Sequence, residues 1–261
     1  MAGPVASRAV FFGRSGSPFP FHSRSLPLAP VPRSLAAVVT VPGREHALAE
    51  CLRSLRPQVT RLHVVCHDMT IPPDVVRHQA DDWVCIPDQC GSAAKLMWVR
   101  EHAGLYLACD DDWKYPADYA LTMLRWVKRW KGRALVTGHG RILSPRATGF
   151  QDAEFARSPQ QESKGAWLNY VGGCALAFDT RLSPPWPIPG KNLEEAHLSV
   201  WAQRQRVPIW LLPHAATWLT YLLANSNLPT IWDAEKAARF KNRNAVLDAI
   251  GAGPGWKVFH G

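Results

Sequence analysis

Apolar residues come in short blocks along this chain, separated by polar, glycine or proline breaks. Leu35 to Val41 (LAAVVTV) is continuous and Val-rich, the pattern of a strand buried on both faces. Pro42-Gly43 ends it. From Arg44 to Leu55 the apolar positions Ala47, Leu48, Cys51, Leu52 and Leu55 recur at helical spacing, and Pro57 closes that helix. Leu62 to Cys66 (LHVVC) predicts the next strand. A chain that opens β-α-β predicts a parallel sheet with crossover helices.

The alternation continues downstream. Trp83–Ile86 predicts a short strand, Ala93–Glu101 a helix, and Leu105–Cys109 (LYLAC) a strand running directly into Asp110-Asp111-Asp112. Pro116 opens a helix that reaches about Trp130. Ala134–Thr137 predicts a strand ending in Gly138-His139-Gly140. Residues 144–166 are polar and read as a long loop. Tyr170–Phe178 (YVGGCALAF) is strand-like, Leu193–Gln203 helical, Val207–Leu212 a last strand, and Asp233–Ile250 a basic amphipathic helix. The pattern predicts an α/β single domain with a mostly parallel central sheet flanked by helices. Its expected parts are a basic Pro/Ser-rich arm over 1–34, the sheet domain over 35–232, and a helix and tail over 233–261. The arm carries Arg8, Arg14, Arg24 and Arg33 and no acid, which suits a transit peptide, a basic arm or a strap on the domain.

Composition narrows the chemistry only a little. With 47% hydrophobic and 20% charged residues, the 261-residue chain has the makings of a folded globular protein. A net charge of +9 favours anionic ligands. Twelve Trp suit cores, sugar stacking and base stacking alike. None of the six cysteines forms a C-x-x-C pair, and several lie in apolar runs; the expectation is reduced thiols in a cytoplasmic protein. No apolar run is long enough to span a membrane. There is no P-loop, no G-x-G-x-x-G and no G-x-S-x-G.

Three carboxylates at the end of an apolar strand repel one another unless a cation joins them. The carboxyl ends of parallel strands are where open α/β sheets bind ligands. Mg²⁺ or Mn²⁺ with a diphosphate is the natural partner, because a hard cation takes a few carboxylates plus phosphate oxygens.

The residues TVPGREHALAECLRSLRPQVTRLHVVCHD resemble the opening of family-2-type GT-A glycosyltransferases. GSAAKLMWVREHAGLYLACDDDWKYPADY resembles a bacterial and viral subset in which D-D-D is followed by Y-P-x-D-Y. YVGGCALAF and LEEAHLSVWAQRQRVPIWLLPH match the second half of that subset, so the resemblance spans about residues 35–220. It implies a GT-A, Rossmann-like fold, and a metal-dependent transfer of a sugar from a nucleotide-sugar, a UDP-sugar first, to a hydroxyl with inversion. It implies Asp112 as principal metal ligand, Asp110 on the ribose or the metal, Asp111 between them, and His214 as a further metal ligand. Thr40, Pro42 and Glu45 are implied at the nucleotide base and ribose, Asp68 at the base, and Lys95 at the base or a phosphate. Glu194-Glu195 stands where the subset carries an acid, usually Asp; Glu195 is the expected general base, with Asp152 or Glu154 next in line. His139 is a candidate pocket residue, and Trp167, Trp186 and Trp218 are candidates for sugar stacking or core. The helix LTMLRWVKRWKGR interleaves cations with Trp, so hydroxymethylated DNA competes with a glycan or lipid-linked glycan as acceptor. The other class is an inactive module that binds nucleic acid or glycan. The bacterial and viral likeness places the protein in the cytoplasm of a bacterium or a virus-infected cell. Oligomeric state is left open.

Overall fold

The computed structural model describes residues 29–87, 90–224 and 230–261, excepting the side chain of Trp232. Strand β1 (Val31–Thr40) begins four residues before Leu35, and the rest of the expected arm, up to residue 28, lies outside the described residues. Helix α1 (Glu45–Leu55), β2 (Val59–His67), α2 (Asp74–Gln79) and β3 (Asp82–Ile86) follow. Then come β4 (Leu105–Asp110), β5 (Trp113–Lys114), α3 (Tyr119–Arg129), β6 (Leu135–Thr137), β7 (Gly140–Leu143) and β8 (Ala153–Arg157). The chain continues through β9 (Ala166–Leu168), β10 (Tyr170–Val171), β11 (Ala175–Asp179), α4 (Glu194–Gln205) and β12 (Ile209–Leu211). It ends with β13 (Thr220–Tyr221), α5 (Ile231–Ala237) and α6 (Lys241–Gly251).

Eight strands form one sheet in the order β3-β2-β1-β4-β11-β6-β12-β9. Pairings β3-β2, β2-β1, β1-β4 and β6-β12 are parallel; β11 runs antiparallel to both neighbours, and β9 antiparallel to β12. The α/β expectation of a mostly parallel sheet flanked by helices holds. Alternation along the strands divides the core. Ala36, Val38, Leu105, Leu107 and Cys109 face α1 and α3, while Leu35, Ala37, Tyr106, Ala108 and Phe178 face the opposite layer with Leu198 of α4. A third, smaller core joins Tyr170, Ala196 and Val200 to Leu247, Ile250 and Trp256.

Four departures from the sequence pattern have local causes. Ala93–Glu101 is a six-residue 3-10 turn, Gly91–Leu96, followed by further turns, not an α-helix. In 3-10 geometry residues three apart eclipse, so Ser92 and Lys95 point the same way. Residues 144–166 contain β8, which pairs with β7 in a three-stranded sheet β10-β7-β8. Tyr170–Phe178 is two strands in two sheets, broken at Gly172-Gly173. A Cβ on Gly172 would lie 2.3 Å from the His139 ring, so only glycine allows that approach. The C-terminal helix is two helices, parted where Arg239 and Phe240 turn left-handed and the Phe240 ring packs tilted against Phe150, centroids 5.0 Å apart. All six cysteines are free thiols, four of them buried. Among the described residues no helix is long and apolar enough to cross a membrane.

Helix α6 is seated closely. A Cβ on Gly251 would lie 1.8 Å from the Ala147 carbonyl oxygen. In an isolated helix Gly→Ala gains about 1 kcal/mol. Here Gly251→Ala is expected to lower stability by roughly 1–3 kcal/mol, because the clash outweighs propensity. Chemical denaturation of the two proteins checks this; a more stable variant would mean that α6 does not rest on the 147 loop.

Candidate active site

Register brings the chemistry to one edge of the sheet. Val39 pairs with Asp110, Cys109 with Ala175, Leu176 with Thr137, and Thr137 with Leu211. The ends of β1, β4, β6 and β12 therefore meet the start of the antiparallel β11. Tyr115 clamps this junction. Its hydroxyl donates to the Cys174 carbonyl at 2.6 Å and accepts the Asp110 N–H at 3.0 Å.

Each of the three aspartates has a different environment. Asp110 accepts a hydrogen bond from the Lys95 ammonium. Asp111 is 1% exposed and accepts from the Thr40 hydroxyl at 2.7 Å and from Arg44 at 2.9 Å. Burial pushes its carboxyl up, against the pull of Arg44. Asp112 is largely buried, 3.8 Å from Arg44, and its Oδ1 is shielded from water with no hydrogen-bond partner. Burial, then Asp110 and Asp111, push its pKa up to about 8. A carboxylate oxygen with no partner beside two further carboxylates is the donor set a hard cation fits. Among the described residues no group of three or more His, Cys, Asp or Glu side chains forms a metal cage by itself.

Lys95 is 1% exposed and committed inward. It bridges Asp110 and Glu194, the latter at 3.3 Å. Burial lowers its pKa, but Asp110 and Glu194 outweigh that and hold it above the usual lysine value. Ser92, eclipsed with Lys95, donates to the other oxygen of Glu194 at 2.6 Å. Lys95 and Glu194 are thus tied to each other below the sheet edge.

Glu195 faces the other way. Its Oε1 accepts the Gly173 N–H at 2.7 Å and lies 3.7 Å from His139 Nε2. Its Oε2 accepts from Arg243 of α6 at 2.6 Å and from the Tyr170 hydroxyl at 3.4 Å. Burial acts to raise its pKa, and His139 and Arg243 more than offset it, holding the carboxyl well below the usual range. His139 also contacts Cys174 Sγ at 3.5 Å.

The other expected residues are placed as follows. Pro42 and Glu45 are exposed just beyond β1, with Glu45 accepting the Gly43 N–H at 3.1 Å. Asp68 is exposed at the end of β2 in a left-handed turn. His214 is buried, with Nε2 2.8 Å from the Gly138 carbonyl oxygen and Nδ1 2.9 Å from that of Ala215. Asp152 caps the Thr148 and Gly149 N–H groups, and Glu154 is exposed on β8. Trp218 packs on Tyr119 and His214, Trp167 joins Trp126, Trp130 and Trp210 in an aromatic cluster, and Trp186 packs against the core.

Sequence reasoning missed Arg44, Ser92, Tyr115, Tyr170 and Arg243 as site residues. Arg44 carried a signal, being the first cation after a strand that ends at the sheet's carboxyl edge. Arg243 carried none, since it is one of several cations on a helix that reads as solvent-facing.

No family model matches the sequence, and no curated protein matches it. Solved structures do match the fold. Glucosyl-3-phosphoglycerate synthase from Mycobacterium tuberculosis, in complex with Mn²⁺, UDP-glucose and phosphoglyceric acid, is similar with a TM-score of 0.55 at 13% identity, over 84% of this chain and 79% of that one. The same enzyme with UDP gives 0.55 at 13% identity, over 84% and 80%. A further mycobacterial protein gives 0.54 at 12% identity, over 87% and 82%. The fold is therefore the GT-A fold of such glycosyltransferases.

Asp112 sets a pH dependence. Its folded pKa of about 8 lies above the ordinary 3.8, so the folded state holds a proton that the unfolded chain has lost. In metal-free protein this contribution is intact below pH about 4 and is lost as pH rises through 8. Asp112→Asn is expected to stabilise metal-free protein at pH 8.5 by roughly 1–3 kcal/mol and to change little at pH 4. Urea denaturation at both pH values checks this; equal effects at the two would show that Asp112 is not strained.

Proposed function

We propose that this protein is a metal-dependent glycosyltransferase that moves a sugar from a nucleotide-sugar, a UDP-sugar first, to an acceptor hydroxyl. The observation that carries the reading is the partnerless, water-shielded Oδ1 of Asp112, beside Asp110, at the carboxyl edge of a GT-A sheet. Support comes from structures of the same fold in complex with Mn²⁺, UDP and UDP-glucose.

In this reading Asp112 and Asp110 would hold the divalent cation, which would take up the charge of the donor's diphosphate. The ion supplies Lewis-acid neutralisation of the leaving diphosphate. Thr40 and Arg44 hold Asp111, which keeps its charge from turning toward the bound nucleotide. Glu195 accepts the proton of the acceptor hydroxyl, the hydrogen-bonding role a general base needs. Glu194 and Lys95 act as the fixed floor below it. Thr40, Pro42, Glu45 and Asp68 remain the proposed nucleotide contacts, and His214 a proposed ligand only if its ring leaves the Gly138 carbonyl.

For the acceptor, α3 argues less for DNA than its sequence does. Trp126 and Trp130 pack against Trp210 at 5.3 Å each, and Arg129 lies over both rings, so base stacking on them is blocked. The cations alone remain in favour of a polyanion. A hydroxyl on a glycan or another small acceptor is the better reading.

Two measurements test the function. Mn²⁺ with UDP is expected to raise the melting temperature of the wild type, and not of Asp112→Ala. UDP release from a panel of nucleotide-sugars, with glycan acceptors and with hydroxymethylated DNA, is expected to need Mn²⁺ and to fall a hundredfold or more in Asp112→Ala (an order of magnitude typical of lost charge stabilisation). Nucleotide binding with no release from any donor would favour the inactive binding module, and full activity in Asp112→Ala would sink the proposal.

A further inference from the structure

Helix α6 lies beyond residues 35–220, the stretch whose sequence resembles family-2-type transferases, yet it reaches the site. Its docking is apolar: Leu247, Ile250 and Trp256 pack with Ala196 and Val200 of α4. Arg243 is the exception on its buried face, with a side chain 7% exposed. Its Nη1 donates to Glu195 Oε2 at 2.6 Å and to the Tyr170 hydroxyl. Its Nε faces Glu235 of α5 at 3.7 Å, and the guanidinium stacks 5.0 Å over Phe150. A buried ion pair is a poor way to hold a helix down, because desolvation offsets much of the attraction. The apolar anchors already hold α6, so the charge serves Glu195.

We propose that Arg243 is a positioning residue for Glu195, aiming that carboxylate and balancing its charge, so that the transfer site is complete only with the C-terminal helix docked. The inference rests on the transferase reading for its consequence in turnover, and on geometry alone for its effect on Glu195. The two oxygens of Glu195 are fixed from opposite sides. The Gly173 N–H holds Oε1, and Arg243 with Tyr170 holds Oε2. Other charged or titratable groups facing this centre are His139 after β6, Arg141 on β7, Glu194 on α4 and, beyond it, Lys95. Of these, His139 and Arg243 favour the carboxylate most, against the pull of burial toward the neutral acid. A paired carboxylate stays ionised in acid but is a weaker base; losing Arg243 reverses both properties.

The test is a ¹³C NMR titration of the Glu195 carboxyl in full-length protein labelled at glutamate, with the signal assigned through Glu195→Gln. In the wild type it is expected to stay ionised below the ordinary glutamate range, a result that needs no Arg243 variant to fold. In Arg243→Met it is expected to titrate at least one pH unit higher, with Arg243→Lys between the two. In turnover, Arg243→Met gains an acid limb, kcat falling tenfold per pH unit below the new midpoint while the donor KM holds; a merely structural role would not move this profile. A wild-type Glu195 that titrates in the ordinary range would overturn the proposal, as would a folded Arg243→Met with an unchanged titration. A wild type that binds donor but never turns over would count against the transferase reading alone, since the carboxyl titration decides the role of Arg243 separately.

Discussion

Three consecutive carboxylates at one strand end are the constraint around which this site is arranged. Two like charges about 4 Å apart near a protein surface repel by about 4 kcal/mol, and burial adds a desolvation cost to each. The fold answers by giving the three different partners. Asp110 takes Lys95, Asp111 takes Thr40 and Arg44, and Asp112 is left with a distant arginine and a partnerless oxygen. Two of the charges have cationic partners within the chain, and burial beside the other two pushes the pKa of the third up to about 8. The residual strain sits at Oδ1 of Asp112, which is shielded from water and has no hydrogen-bond partner.

Sheet topology makes these partnerships available. Parallel strands bring Val39 beside Asp110, so that Thr40 reaches Asp111, and the start of the helix after β1 brings Arg44 over the same edge. The antiparallel β11 then starts where the parallel strands end. That reversal places Gly173 and Cys174 at the site, and Gly172-Gly173 lets His139 and the N-terminus of α4 close in. Glu194 and Glu195 are neighbours in sequence but face different surroundings. One is buried between Ser92 and Lys95, the other is held among Gly173, His139 and Arg243.

What was legible in the sequence is what periodicity and strand ends encode. The strands LAAVVTV, LHVVC and LYLAC, helix α1 between the first two and the Asp110–Asp112 edge follow from local pattern, because buried parallel strands read as unbroken apolar runs; the short α2 does not. Ala93–Glu101 reads as a helix because so short a stretch of small and apolar residues looks the same in α and 3-10 geometry; the difference decides where Lys95 points. Lys95 was expected on the nucleotide and is instead buried against Asp110 and Glu194. Arg243 was hidden for a deeper reason. Whether a cation on a terminal helix faces water or a carboxylate fifty residues upstream depends on docking, and no local spacing records that.

Lys95 gives the arrangement its mechanical sense. It is a single buried ammonium shared by Asp110, on the side of the aspartate run, and by Glu194, at the first turn of α4. Glu195 follows Glu194 on the same helical turn, so the position of the cleft carboxylate is set from below by Lys95 and from above by Arg243. The two halves of the site are therefore joined by one charge whose allegiance is divided. A buried ion pair with two possible partners has no reason in stability alone, since apolar residues fill such space at lower cost. What it does is tie the aspartate edge to the first turn of α4 through one shared ammonium.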